Sequence, residues 1–240
     1  MCNKKTIKDS NLIIGENVPN WTKKQAPSQT KMEGQYCYIE ILDVEKHTED
    51  LFNAFAKDIT NQDWTYLPYG PFASQKEFTE WLRNECTGKD PLFYTIVDKT
   101  NNNAVGMASY LRINPSYGVI EVGHIHYSKS IQKKPIGTEV MYLMMKHVFD
   151  VLKYRRYEWK CNALNIRSCN AARRLGFKFE GIFKQHMISK GHNRDTAWFA
   201  ILDKDWLRIK INFEKWLEKN NFNKDSSQKI SLTSLMQTPS

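Results

Sequence analysis

Apolar residues along this chain recur at spacings that alternate between two and three-to-four, and two polar stretches flank the patterned block. Gln35–Leu42 (QYCYIEIL) is rich in aromatic and β-branched residues and reads as a strand. Val44–Lys57 carries apolar residues at helical spacing. Trp64–Phe72 (WTYLPYGPF) is an aromatic loop punctuated by Pro and Gly. Ser74–Cys86 is a helix: Ser74 with Glu77 three residues on forms a capping box, and Phe78, Trp81 and Leu82 repeat on one face. The period then shortens. Leu92–Val97 and Ala104–Leu111 are strands around the turn Asp98–Asn103, and Val119–Ser128 is a third strand after a turn at Pro115–Gly118. From Ile136 to about residue 152 the helical period is the clearest in the chain. Tyr157–Ala163 is a strand. Ser168–Leu175 is a short helix capped by Ser168 and closed by Gly176. Phe177–Ile188 and Thr196–Leu202 are strands around a turn at Lys190–Arg194, where Asn and Asp suit the bend, and Leu202–Lys219 closes the block as a helix.

This order, a meander followed by a strand–helix–strand unit, implies an α/β (α+β) mixed sheet with helices on both faces. Residues 35–219 form one domain with no internal repeat. Residues 1–34 read as a polar arm, mobile or loosely docked, and 220–240 as a polar tail.

Composition removes several classes. No run approaches the ~20 apolar residues of a membrane span, and no apolar stretch follows the charged start as a secretory signal would require. The five cysteines are an odd number without a C-x-x-C pair, so neither a disulfide framework nor a zinc module is expected, and no metal is. A reducing compartment follows, cytoplasmic with the nucleus also open. The 35 Lys+Arg against 26 Asp+Glu leave a formal charge of +9. That charge reads as scattered solubilising lysines or as affinity for an anionic partner. No nucleic-acid-binding motif accompanies it, so nucleic acid is not the expected partner.

One junction carries chemistry. Strand 119–128 runs into SIQKKPIGTEVMYLMM, where lysines, Pro and Gly open an amphipathic helix. The first N–H groups of a helix lack partners and carry partial positive charge, so an anion fits there. Lys133 and Lys134 add full charges, and Gly137 allows close approach to the backbone. A plain helix start with solvated lysines accounts for the local pattern equally well. The segment lacks both G-x-x-x-x-G-K-[ST] and G-x-G-x-x-G, so it is neither a Walker loop nor a dinucleotide fingerprint.

Gln132–Glu139 (QKKPIGTE) resembles the Q/R-x-x-G-x-G/A signature of the GNAT superfamily of acetyl-CoA-dependent N-acetyltransferases. Asn165 and Ser168, followed by Arg174–Phe177 (RLGF), resemble its N-x-x-S…GF segment, and residues 35–206 as a whole look like the RimJ/RimL-type branch. The resemblance implies the GNAT fold: a central, mostly antiparallel sheet with one splayed parallel pair, strands 119–128 and 157–163. Acetyl-CoA as cosubstrate would thread that gap. Its pyrophosphate would meet Gln132, Lys133, Lys134, Ile136, Gly137 and Thr138, and Asn165 and Ser168 would contact the cofactor. An N–H among Ile125, His126 and Tyr127 would polarise the thioester carbonyl. Two departures stand out. Pro135 replaces the first glycine, and Ala172 stands where many relatives carry a tyrosine that protonates the leaving thiolate. Ser168 is then the candidate to hydrogen-bond the sulfur, or simply a helix cap.

The acceptor amine, a protein N-terminus or a small molecule, must lose a proton. Glu121, His124, His126 and Glu158 are the possible bases. Strand alternation separates Glu121 from the two histidines unless a bulge intervenes. Glu121 is favoured, because a carboxylate inside an apolar strand has either a partner or a function. Cys161 and Cys169 are not needed as nucleophiles. The Trp64–Phe72 loop lines the acceptor site or plugs the core. A non-catalytic domain that keeps CoA as a structural ligand, and a basic RNA- or ribosome-associated module, are the alternatives to an enzyme.

Overall fold

The computed structural model describes residues 5–6, 13–225 and 227–237; the rest of the expected arm, Cys2 included, and residues 226 and 238–240 lie outside them. Two short strands, β1 (Lys5–Thr6) and β2 (Ile13–Ile14), pair with each other. The main sheet has eight strands: β3 (Met32–Glu33), β4 (Cys37–Ile41), β5 (Leu92–Asp98), β6 (Ala104–Asn114), β7 (Val119–Tyr127), β8 (Arg156–Asn162), β9 (Lys178–Ser189) and β10 (His192–Leu202). Their spatial order is β3-β4-β5-β6-β7-β8-β10-β9, and every neighbouring pair is antiparallel except β7 and β8. The expected mixed sheet with one parallel pair is therefore present.

Among the described residues six helices flank it: α1 (Val44–Phe55), α2 (Gln75–Glu85), α3 (Pro135–Lys146), α4 (Ile166–Arg174), α5 (Asp203–Leu217) and α6 (Leu232–Gln237). They sort into two layers by what they bury. Leu51 and Phe55 of α1 and Phe78 and Leu82 of α2 pack with Trp64, Phe93 and Met107 on one face. Val140, Met144 and Met145 of α3 join Cys169 of α4 and Ile209 and Phe213 of α5 on the other, against Ile120, Val122, Tyr157 and Trp159. The methionine-rich face of α3 is thus core packing.

Local signals formed as expected where they were self-contained. Ser74 Oγ accepts from Glu77 N at 3.2 Å, and Glu77 reaches back to Ala73 N at 3.0 Å, which completes the capping box of α2. Elsewhere the boundaries differ. α4 starts earlier than expected, because Asn165 Oδ1, not Ser168, accepts the capping bond from Ser168 N. The helix after Lys146 widens into one π-helical turn over His147–Val151. The turn expected over Lys190–Arg194 is tighter: it consists of Lys190 and Gly191, both at positive φ, so Arg194 belongs to β10.

Both flanking stretches dock in part. Trp21 Nε1 donates to Ser116 O at 2.7 Å, Tyr154 Oη donates to Gln25 O, and Met32 is buried. Beyond Asn220, the apolar Leu232 and Leu235 of α6 are buried against the domain, and Trp216 Nε1 donates to Gln228.

Candidate active site

The parallel register between β7 and β8 runs only from Val119 opposite Arg156 to Val122 opposite Trp159. Beyond that point each strand keeps only its outer partner. β7 stays with β6 as far as Tyr127 opposite Gly106, while β8 stays with β10 as far as Asn162 opposite Thr196. The facing edges of Gly123–Tyr127 and Lys160–Asn162 are therefore unpaired with each other, and their peptide groups remain open to a ligand.

The β7 side of the gap is bulged. Met107 faces His126 and Ser109 faces Gly123, so His124 and Ile125 together oppose Ala108, with His124 at φ 50°. A bulge leaves one residue without a ladder partner and re-aims the side chains beyond it. The consequence here is chemical. Ile120 and Val122 face the α3 layer, so Glu121 faces the α1–α2 layer. The extra residue brings His124 and His126 to that same face, where alternation alone would have set them apart. His124 Nδ1 lies 3.1 Å from Tyr69 Oη, and His126 stacks on Phe55 at 3.9 Å with Trp64 edge-on. Burial lowers both imidazoles to about 4, with Arg112 and Arg194 adding to the effect at His124. His126 is 4% exposed and works as an aromatic core residue.

Glu121 is 3% exposed. Arg112 Nη1 donates to its Oε1 at 2.9 Å, and Lys160 Nζ lies 2.7 Å from Oε2. Burial raises the carboxyl above its usual range, against the pull of Lys160 and Arg112. Glu158 sits directly opposite Glu121 in the parallel register, 2.8 Å from Lys160 Nζ. Arg156 Nε donates to Glu158 at 2.6 Å, and Arg156 also pairs with Glu180. Lys160 thus bridges two carboxylates that would otherwise repel, while its ammonium rests 3.9 Å from the Trp198 ring centroid. Held by two cations, Glu158 is a charge-balancing residue of this network. Sequence reading missed Lys160, although its i, i+2 spacing from Glu158 on a strand puts the two on one face.

At the far end of the gap, β7 feeds the start of α3, whose first turn is not capped by a side chain. Lys133 and Lys134 are exposed there. Arg174 reaches in from α4, its Nη1 donating to Thr138 Oγ1 at 3.0 Å. Two of the expected residues also have contacts within the protein. Gln132 is not free, since its Nε2 donates to Asp63 at 2.7 Å and to Tyr127 O at 2.9 Å. Gly137 packs closely on a neighbour: a Cβ there would lie 3.1 Å from the Tyr127 ring, whose hydroxyl donates to Gly137 O at 3.0 Å. Ile136 and Thr138 are buried. Asn165 spends Oδ1 on the cap, and Ser168 Oγ accepts from Trp159 Nε1 at 3.0 Å while its hydroxyl proton lies within reach of the Cys161 thiol. Ala172 is fully buried in the core, so its position offers no acid.

The aromatic loop closes the α1–α2 side. Lys190 Nζ, at the β9–β10 turn, donates to Trp64 O at 3.0 Å and Gly70 O at 2.8 Å, and Tyr66 Oη donates to Leu164 O at 3.1 Å. The loop is both core and wall, with Trp64 buried inward and Tyr69 turned to His124. Among the described residues no cluster of His, Cys, Asp and Glu is arranged to hold a metal, and no helix is long and apolar enough to cross a membrane.

A family model described as an acetyltransferase (GNAT) domain matches residues 41–178. A crystal structure of a GCN5-related N-acetyltransferase from Brucella melitensis superposes with a TM-score of 0.90 at 42% identity, over 92% of this chain and all of that one. A probable GNAT-family acetyltransferase from Chromobacterium violaceum superposes at 0.75 with 33% identity, over 85% of this chain and 99% of the other. An uncharacterized N-acetyltransferase, YnaD of Bacillus subtilis, is 22% identical over 142 residues, 59% of this chain and 81% of that protein. The chain belongs to the GNAT family and is an N-acetyltransferase.

Proposed function

We propose that the chain transfers acetyl from acetyl-CoA to a primary amine by direct attack within a ternary complex, as the RimJ/RimL-type resemblance implies. The observation that carries this reading is the end of β7–β8 pairing after Val122 and Trp159, immediately before the uncapped start of α3. The open strand edges match the amides of a pantetheine arm. The helix start, with Lys133, Lys134 and Arg174 around it, suits a pyrophosphate.

The residues supply the remaining needs of the reaction. The amine attacks the thioester carbon as the C–S bond breaks, and one proton must leave nitrogen. Arg112, Lys160 and Arg194 surround the Glu121 side and disfavour an ammonium ion, so an entering amine sheds its proton more readily. Glu121, raised by burial, accepts that proton directly or through water. The unmatched N–H within the His124–Ile125 bulge supports charge on the carbonyl oxygen. The departing thiolate belongs to a group of ordinary pKa near 8.5, so the Ser168 hydroxyl suffices as a hydrogen-bond donor in place of the tyrosine.

Mass spectrometry of the purified protein for bound CoA, then a panel of amines and peptides read by thiol release, tests this. Retained CoA with no release across the panel favours a second reading, a CoA-binding domain without catalysis, for which the buried Ala172 argues.

A further inference from the structure

Half-buried arginines in this protein have partners, with one exception beside the site. Arg156 is held by Glu158 and Glu180, and Arg174 by Thr138. Arg194 is half-buried on β10, and its Nε is shielded from solvent with no hydrogen-bond partner among the described residues. The neighbouring acid does not serve it. Asp195 Oδ1 accepts instead from Gln185 N at 2.8 Å and Asn193 Nδ2 at 3.0 Å. Glu121 lies near enough to be felt but is already engaged by Arg112 and Lys160. Trp198, four residues on along the same face of β10, also has a buried indole N–H without a partner.

We propose that Arg194, with Trp198 beside it, binds an anionic group of the acceptor, so that the acceptor is a small amine bearing a carboxylate, of the amino-acid class. This rests on the acetyltransferase reading above and narrows its second substrate. The charge pattern points to it. Around Glu121, Glu158 and Glu180 stand Arg112, Lys160, Arg156 and Arg194, and only Arg194 is left uncompensated. A half-buried guanidinium with a shielded, unpaired donor is a poor resting state and a good carboxylate fork. Burial lowers its pKa, with Arg112 contributing, and both effects favour an arriving anion. Size follows from the roof. The aromatic loop is tied to the β9–β10 turn by Lys190 and to the β8–α4 loop by Tyr66, and a wall held at both ends suits a compact molecule better than a folded surface. An acceptor spanning Arg194 and Glu121 would present its amine to the base and its carboxylate to the arginine.

The test uses the full chain with CoA present, and two readouts on matched probes: leucine, methionine, phenylalanine and aspartate, their carboxamides, their decarboxylated amines, and tripeptides beginning with the same residues. Calorimetry measures binding, and thiol release with acetyl-CoA measures transfer. The free acids are expected to bind at least about tenfold tighter than the amides and amines. Arg194→Gln should erase that difference while Arg194→Lys retains part of it and acetyl-CoA affinity is unchanged. Binding that discriminates by carboxylate without any turnover upholds this site and overturns only the catalytic reading. Equal binding of acids, amides and amines, discrimination that survives Arg194→Gln, or a preference for the tripeptides overturns the proposal.

Discussion

The Glu139 carboxylate fills the space in which a side chain at residue 34 would stand: a Cβ on Gly34 would lie 2.5 Å from Oε2. From there it accepts three backbone bonds, from Gln35 N at 2.6 Å, Tyr36 N at 2.7 Å and Cys37 N at 2.9 Å. One residue of α3 thereby ties the helix to the entry of β4. Glu139→Ala leaves three donors without an acceptor, at a cost of about 3 kcal/mol. For a chain of this size that is a fall of roughly 6–12 °C in melting temperature by calorimetry. A fall of less than about 2 °C would show the tie to be dispensable.

Glu121→Gln keeps the shape and the bond from Arg112 but removes the proposed base. Acetyl transfer should fall by about a hundredfold or more, with acetyl-CoA affinity within about twofold. Steady-state kinetics beside calorimetric titration separate the two, and an undiminished rate removes Glu121 from the mechanism.

The sign of a pH effect follows from the cations at Glu121. Burial raises its carboxyl, and Lys160 and Arg112 oppose that rise. Lys160→Met removes one opposing charge, so the acidic limb of the kcat/KM profile should move to higher pH. A limb that stays in place, or moves to lower pH, contradicts the assignment.

His126 provides an independent pH prediction in stability. Its folded pKa of about 4 lies below the unfolded 6.5, so the unfolded chain takes up the proton first as pH falls. The stability it contributes is present above pH 6.5 and is lost as pH falls toward 4, at a total of roughly 3 kcal/mol. His126→Phe keeps an aromatic ring against Phe55 and should make the acid fall of melting temperature across that window shallower, with His124 keeping its own share.

Arg174→Gln should weaken acetyl-CoA binding by about tenfold while leaving the acceptor KM unchanged, because its guanidinium addresses the first turn of α3 and not the Glu121 side. Titration at two salt concentrations checks that the lost contribution is electrostatic, since the wild-type affinity should be the more salt-sensitive.

What could be read from the sequence was what neighbours in the chain decide. The capping box of α2, the β5–β6 hairpin and the helix after Pro135 rest on local signals and formed where expected. The β7–β8 parallel pair came from the resemblance and formed too. What escaped notice depends on register between distant strands. Alternation sets Glu121 apart from His124 and His126, and one extra residue in β7 reunites them. Lys160 matters because Glu121 and Glu158 fall opposite each other in the parallel ladder. Arg194 was hidden by its neighbours: an Asn-Arg-Asp run suggests a bend, but the bend is made by Lys190 and Gly191, and Arg194 sits inside a strand. Ser168 was misread because Asn165, three residues earlier, is also a good cap.

Among the described residues, the four-residue ladder from Val119 to Val122 against Arg156 to Trp159 is also the sole strand-to-strand seam joining two half-sheets. One half carries the α1–α2 wall, and the other the β9–β10 hairpin with Arg194. With so short a stitch of backbone between them, the halves are held to each other chiefly by side chains: the core under α3 spans both, and Lys190 clasps them across the open end.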